Sequence, residues 1–557
     1  MASAQSPTWN WARTLDAGQD EYVRDLAIEP ATGNIYAVGS YRSATASPAP
    51  YGLPISVGGS GDAFIAKFDP SGNLLWSRSI GSSQEDAAMG VAVASSGLVV
   101  VTGYYGGSLA GFGLSNSGSS DAFIIAYDAT GAFQWTKSVR SPQWDEGTGI
   151  AVSGNTIIAY GSFSHHSTLS GVLAIAGLST GRLYAYLNAY DLTGALLWSL
   201  TGLSNDNVLT ERIASDATHV YVVGSTEGNS FGWQNNMGVT STSVSTTNMD
   251  ALYCSAISLT GTPSWTRLID NPGDSFAECN GVAVDCGAVY ITGHTHNGSI
   301  FPGGVTRTMG TMHDYWFLAS LSRSTGTTNW VRTAASSTDH GVDGYDVSVG
   351  RNGQVHVAGS MDGTVTTDGG TVITAGSDAD ICISRFNRDG TAVWYDREVS
   401  PGDEWPLAIA TVGGGNLIVG GWYKDALTLG ASSYPGNNGM NMFTASLSDP
   451  AWASVSNNPA RFAQPGPFCT GSAAIDLNTY LVAYADTVTS SSSVTSPMDA
   501  TGAPNSAGAF FNTLNGWVVL DLSDTLYTGE GVGLTWRSQT NLQQARMLVS
   551  SSMDGIT

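Results

Sequence analysis

Apolar residues along this chain come in runs of four to seven, rich in Val, Ile and aromatic side chains and bounded by Gly, Ser, Asn and Asp. Runs of that length and composition predict short β-strands joined by turns. Three markers repeat in a fixed order. The first is a tryptophan at positions 11, 76, 135, 198, 265, 330, 394 and 452, spaced by 58 to 67 residues. The second is an apolar strand ending in glycine 26 to 29 residues later, at Gly39, Gly103, Gly161, Gly224, Gly293, Gly359 and Gly421. The third is a strand of the type Asp62-Ala63-Phe64-Ile65-Ala66-Lys67-Phe68-Asp69, recurring as Asp121 to Asp128 and recognisably in the later units. A turn such as Pro70-Ser71-Gly72 then leads to the next tryptophan.

Eight tryptophans enclose seven units, and each unit reads as four strands. Around Trp76 these are Gly90 to Ala94, Leu98 to Gly103, Ala122 to Asp128 and Phe133 to Val139. A lone four-stranded sheet cannot bury both faces, whereas seven arranged radially bury them against one another. The expected fold is all-β: a seven-bladed β-propeller over residues 1–455, followed by a β-sandwich over 456–557. Eight tryptophan strands for seven blades leave the closure open. Thr8 to Leu15 completes the last blade, with Trp452 leading away, or the roles are reversed.

The repeat, written W…D…(V/I)A(V/L)…G-N-(V/I)-Y-(V/A)-x-G-S…D-A-F-(I/V)-A-K-(F/Y)-D-x-x-G…W and clearest from Asn10 to Trp135, resembles the bacterial SBBP type of β-propeller repeat. That resemblance implies a secreted or surface-attached bacterial protein and brings no catalytic residues with it. Beyond Ser456 the period stops. Gly516 to Leu522 and Ala545 to Ser550 resemble strands of galactose-binding-like β-sandwich domains, and the final Ser552 to Thr557 reads as a hairpin turn without its second strand. The natural protein is therefore expected to continue past this point.

Charge narrows the partners. The formal charge is −24, from 45 acidic and 21 basic side chains. Such a surface repels phosphate backbones and anionic lipid, so nucleic acid and membrane surfaces are poor partners. There is no run of 18 apolar residues. Ala2-Ser3-Ala4 has the form of a signal-peptide cleavage site, which fits a clipped export signal; a true Met1 would fit a virion protein instead. The five cysteines, at 254, 279, 286, 382 and 469, form no C-x-x-C pair. They leave either a Cys254–Cys279 bridge or buried thiols.

Candidate chemistry is sparse. An acid follows each tryptophan by 8 to 10 residues: Asp20, Glu85, Asp145, Asp206, Asp274, Asp339 and Asp403, four of them with acidic neighbours (Glu21, Asp86, Glu146, Glu404). A ring of carboxylates at the channel would suit a cation such as Ca2+ or a basic partner; equally, each acid would cap its own turn. No cofactor is expected. Aromatic rings beside acids, Trp144 with Asp145 and Glu146, and Trp405 with Asp403 and Glu404, suit a sugar face or a protein partner, as does Trp233 in the insertion Gly228 to Asn248. Against this stands simple packing between blades. His294-x-His296 with His313 and Asp314 is a weak zinc candidate. Gly228-x-Ser230-x-Gly232 lacks the strand–turn–helix context of a nucleophile elbow.

The reading is a secreted or cell-surface, non-catalytic binding, adhesion or scaffolding protein with a glycan or protein partner. A structural subunit of an appendage, filament or virion is the alternative. A carbohydrate-active enzyme is the third.

Overall fold

The architecture was read from a computed structural model. It describes residues 7–449 apart from 45–49, 165–177, 179–180, 236–240, 242, 273–276, 286, 308–313, 339–340, 351–352, 375, 377 and 413–414, together with strands between 485 and 549. The chain divides into two units, Met1–Ala451 with Pro465–Pro467, and Trp452–Gln464 with Phe468–Thr557.

The first unit is a seven-bladed β-propeller. The innermost strands, in blade order, are Tyr22–Ile28, Asp86–Val93, Asp145–Ser153, Val208–Ser215, Glu278–Val284, Val342–Val349 and Glu404–Val412. Each touches the next, and the seventh touches the first. Every blade is an antiparallel meander. In blade 1 the order is Tyr22–Ile28, Ile35–Tyr41, Asp62–Phe68 and Leu74–Ile80. The middle strands carry buried residues on both faces because a sheet covers each side; Ile35–Tyr41 and Asp62–Phe68 are buried throughout.

Blade 7 draws its outer strand from the other end of the chain. Thr8–Leu15 pairs antiparallel with Asn441–Ser448, from Thr8 opposite Ser448 to Leu15 opposite Met442. The N-terminal strand therefore closes the ring, as the first of the two closure readings expected.

The tryptophan repeat has a mechanical explanation. Six of the seven rings reach the turn of the following blade and donate Nε1–H to a carbonyl there, and Trp394 donates to the Asp449 carboxylate. Trp76 bonds the carbonyl of Ala129 at 3.1 Å, Trp135 that of Leu192 at 3.0 Å, Trp198 that of Leu259 at 2.9 Å, and Trp265 that of Arg323 at 2.9 Å. Trp11 does the same from blade 7 to Pro70 of blade 1, at 3.3 Å. The turn glycine lies flat under the ring. Gly131 holds φ 80°, and a Cβ there would come 2.9 Å from a Trp76 ring carbon. Both the backbone conformation and the close approach demand glycine. The basic residue two places on completes the clasp: Arg78 packs its guanidinium 5.3 Å from the Trp76 ring and donates Nε–H to the Gly131 carbonyl at 2.8 Å.

Two blades exceed four strands. The hairpin Ser230–Asn235 with Val244–Ser245, from blade 4, adds to the outer strand of blade 3 through Leu200 opposite Asn235. Thr364–Thr367 with Val372–Thr374, from blade 6, adds likewise to blade 5. Backbone pairing at these edges covers strands that would otherwise be open to other chains.

Cys254 and Cys279 share one core cluster as free, buried thiols, so the bridge weighed from the sequence is not formed; Cys286 and Cys469 lie outside the described residues. Burial raises the Cys279 thiol far above its ordinary range, and the thiolate is the reactive form. Both thiols should resist a thiol reagent in the native protein and react on unfolding. Rapid native modification of either one, located by peptide mapping, would contradict this packing.

In the second unit Ala485–Ser492 pairs with Trp517–Leu522, and Val532–Arg537 with Gln544–Val549. The strands read from the sequence at Gly516 to Leu522 and Ala545 to Ser550 fall on Trp517–Leu522 and Gln544–Val549. No pairing links the two ladders among the described residues.

Candidate functional site

Each innermost strand breaks register once, so every blade carries a bulge on the channel. The residues at these bulges are Arg24, Met89, Thr148, Glu211, Asn280, Tyr345 and Leu407, and those that follow them narrow the channel. Aligned on the register, this second tier reads Asp25, Gly90, Gly149, Arg212, Gly281, Asp346 and Ala408. The glycines let adjacent inner strands approach closely: a Cβ on Gly90 would lie 3.1 Å from the Gly149 backbone, and one on Gly281 would lie 2.9 Å from Asp346.

Arg212 reaches across this tier. Its guanidinium donates to three blades, to the carbonyls of Met89 at 3.3 Å, Arg24 at 2.7 Å and Leu407 at 3.0 Å. It also pairs with Asp25 at 3.5 Å. Asp25 in turn accepts the Val91 N–H of blade 2 at 2.8 Å, and Asp346 accepts the Ile409 N–H of blade 7 at 2.9 Å. Burial pushes the Asp346 carboxyl up to about 6, with Arg212 opposing. One arginine thus ties blades 1, 2, 4 and 7 at the axis.

On one side of this plug the channel opens into a polar mouth. Arg24 meets Glu211 across the axis at 3.4 Å. Glu146 and Glu278 are near enough to Glu211 to raise its carboxyl, which burial already pushes up, to about 7. Glu146 accepts the Ser162 hydroxyl at 3.3 Å, and burial raises its carboxyl also. His294 Nδ1 stands 3.2 Å from Asp343, whose other oxygen accepts the Tyr345 hydroxyl at 3.2 Å. Tyr345 stacks on Trp405 with ring centroids 5.4 Å apart, and Trp405 packs on Trp422 at 5.2 Å. Trp405, the middle ring of the three, keeps 37% of its surface exposed, while Tyr345 and Trp422 on either side are buried.

The residues singled out from the sequence separate here. Trp405 and Glu146 belong to the mouth. Trp144, 48% exposed, sits at the start of the blade 3 inner strand. Trp233 does not face solvent: it is 1% exposed, packed on Phe231, which itself stacks on Tyr253 at 4.1 Å. Its insertion is an edge hairpin, and the ring fills core space, so Trp233 is corrected from ligand contact to packing. Asp145 is a fully buried cap that accepts the Ser141 N–H, the Ser141 hydroxyl at 2.8 Å and the Ser164 N–H at 3.1 Å. Glu404 is fully buried too, whereas Asp403 is partly exposed and holds Lys424 at 2.9 Å.

The acid ring is therefore not one ring. Glu21, Asp86, Asp145 and Glu404 share one buried register position, where Asp86 and Asp145 cap their turns closely, Glu21 does so through long bonds, and Glu404 does not; Asp20, Glu85 and Asp403 are outer neighbours. Asp274 and Asp339 lie outside the described residues. Among the described residues no three His, Cys, Asp or Glu side chains come together as a metal site. His294 and His296 turn to different partners, Asp343 and, at 3.1 Å, Asn271. Ser230 opens a strand and donates its hydroxyl to Asn205 at 3.0 Å, not to a histidine.

Arg24, Glu211, Arg212 and Tyr345 escaped the sequence reading. Arg212 alone leaves a signal, a charged residue at the place of Gly90, Gly149 and Gly281; Arg24, Glu211 and Tyr345 share their place with Met89, Thr148, Asn280 and Leu407, where no residue type recurs.

No protein-family model matches the chain, so the likeness to the SBBP repeat rests on its motif. Two curated proteins are similar. The regulatory protein FlaEY of Caulobacter vibrioides is 27% identical over 368 residues, 62% of this chain and 38% of its own length. An uncharacterized WD repeat-containing protein of Acanthamoeba polyphaga mimivirus is 23% identical over 237 residues, 37% of this chain and 17% of its own length. The chain thus spans well under half of either relative. Among solved structures, the WD40 β-propeller domain of Doa1 overlays 82% of this chain and 99% of its own at 10% identity and a TM-score of 0.39. Sqt1 from Chaetomium thermophilum overlays 80% and 99% at 11% identity and a TM-score of 0.36.

Proposed function

We propose that this protein is a non-catalytic binding and scaffolding module, acting outside the cell, whose channel mouth engages a protein or glycan partner. The observation that carries the reading is the exposed part of Trp405, a ring held rigidly between Tyr345 and Trp422, with Asp343 bound to the Tyr345 hydroxyl next to it. A flat aromatic face with adjoining hydrogen-bond acceptors holds a partner's apolar surface while fixing its polar groups. Arg212 closes the channel below, so the mouth is a shallow docking surface and not a passage. The names of the similar proteins, a regulatory protein and a WD repeat-containing protein, fit an interaction platform. The resemblance of the repeat to the SBBP type supports the extracellular setting.

The test is a screen of the full chain against a glycan array and a displayed peptide library, run in parallel with the Trp405→Ala protein. Partners of the mouth should bind the parent and lose at least about tenfold in affinity with Trp405→Ala, in the range for truncating a central aromatic contact. Binders indifferent to Trp405 but sensitive to Trp144→Ala would move the site to the blade 3 edge. Turnover of a polysaccharide would overturn the non-catalytic reading.

A further inference from the structure

We propose that blade 7, the blade that closes the ring, is a pH-sensitive seam, held shut by protonated Glu21 and Glu404 at its two borders and loosened when they ionise. The inference concerns the ring itself and stands whether or not the mouth takes a ligand.

It starts from one register position, the residue that begins or just precedes each innermost strand. In blades 4, 5 and 6 that residue is Val208, Ala277 or Val342, and the joint is apolar. In blades 2 and 3 it is a short acid with donors provided. Asp86 accepts the Ser82 N–H at 2.5 Å, the Ser82 hydroxyl at 2.9 Å and the Gly106 N–H at 3.1 Å, and Asp145 is held in the same way by Ser141 and Ser164. Only at the two borders of blade 7 is the residue a glutamate, and both glutamates are 0% exposed.

The longer side chain overshoots those donors. Glu21, between blades 7 and 1, has only long bonds, from the Ala17 N–H at 3.4 Å and the Gln19 N–H at 3.3 Å. Glu404, between blades 6 and 7, receives no backbone N–H from the described residues; the Ser400 hydroxyl alone favours its ionised form. The surroundings of both are acidic. Facing Glu404 are Asp380 of blade 6, itself 0% exposed, and Asp378 and Asp403. The nearby cations are engaged elsewhere, Arg397 toward Asp380 and Lys424 on Asp403. Facing Glu21 are Asp16 and Asp20 of its own loop and Tyr423 of blade 7. The blade 7 segment carrying Asn437 and Met440 donates to Asp16 and Asp20 rather than to Glu21.

Burial, with the neighbouring acids adding to it, raises the carboxyls from an ordinary 4.5 to about 9 for Glu404 and about 8 for Glu21. A carboxyl raised by folding stabilises the folded state most below its ordinary value, and that stability drains away as pH rises through the folded value. Asp86 and Asp145 rise to about 7, so the seam is the extreme of a graded series.

Hydrogen exchange across pH tests this on the full chain. Between pH 5.5 and 9, after correction for intrinsic rates, amides in 404–423, 441–448 and 8–22 should gain at least about tenfold in exchange over the innermost strands of blades 4 and 5. A Glu21→Gln, Glu404→Gln protein should lose that difference. Asp380→Asn, which removes one charge facing Glu404, should move the response at the blade 6 border to lower pH. Blade 7 exchanging in step with the rest of the ring at every pH overturns the proposal, as does a Gln variant that keeps the parent's response. Should the double variant fail to fold, Asp380→Asn decides alone: an unmoved midpoint overturns the proposal.

Discussion

An Arg212→Met protein is expected to be less stable than the parent by about 3–5 kcal/mol, the range for removing one partner of a buried ion pair. The loss has two sources. Asp25 and Asp346 keep their places in the axis but lose the cation between them. The carbonyls of Arg24, Met89 and Leu407 lose their donor at a depth where water replaces it poorly. Methionine fills much of the same volume, so the effect reads the guanidinium and not a cavity. Arg212→Lys restores the charge without the planar fork that reaches three carbonyls, and should recover only part of the stability. Denaturant unfolding followed by tryptophan fluorescence measures both. A methionine variant within about 1 kcal/mol of the parent would mean that the ring is held by its blade interfaces alone.

Removal of Thr8–Leu15 should have a larger effect still. It takes away the outer strand of blade 7 and the Trp11 clasp on blade 1, and it uncovers Phe443, Ala445 and Leu447, all 0% exposed in the closed ring. The shortened chain is expected to lose its cooperative thermal transition and to self-associate through the open edge. A synthetic peptide spanning residues 7–16, added in trans, should restore the transition and the monomeric elution volume. Were the shortened chain to keep the parent's melting temperature, the strand after Trp452 would be filling the slot, which is the reverse closure left open by the sequence.

The propeller was legible because its repeat is mechanical. Tryptophan, turn glycine and apolar strand are parts of one clasp made six times, with Trp394 donating to the Asp449 carboxylate in the seventh, and the interval between them measures the blade. The site was less legible for a reason equally physical. Counting from tryptophan gave Asp20, Glu85 and Asp403, whereas the buried acids are Glu21, Asp86 and Glu404, one residue along; in a strand, one residue is the difference between the two faces. The bulge in every inner strand adds a second slip, which hid Arg24, Glu211 and Tyr345. Trp233 misled because an insertion rich in polar residues reads as a loop, and nothing local reveals that it pairs with a strand of the preceding blade.

Thr8 and Ser448, register partners at the rim of blade 7, have a bearing on how the protein carries load. Where the chain enters the ring and where it leaves are opposed across one ladder spacing, about 5 Å. Tension applied through the flanking chain would not shear the seven blades together. It would peel one strand from its neighbour, bond after bond, and spend its work on a single blade. Installed in line within a longer chain, the ring would act as a release link whose first event is the loss of this one strand. The same adjacency lets the whole ring be spliced into a surface loop of another protein without stretching its host.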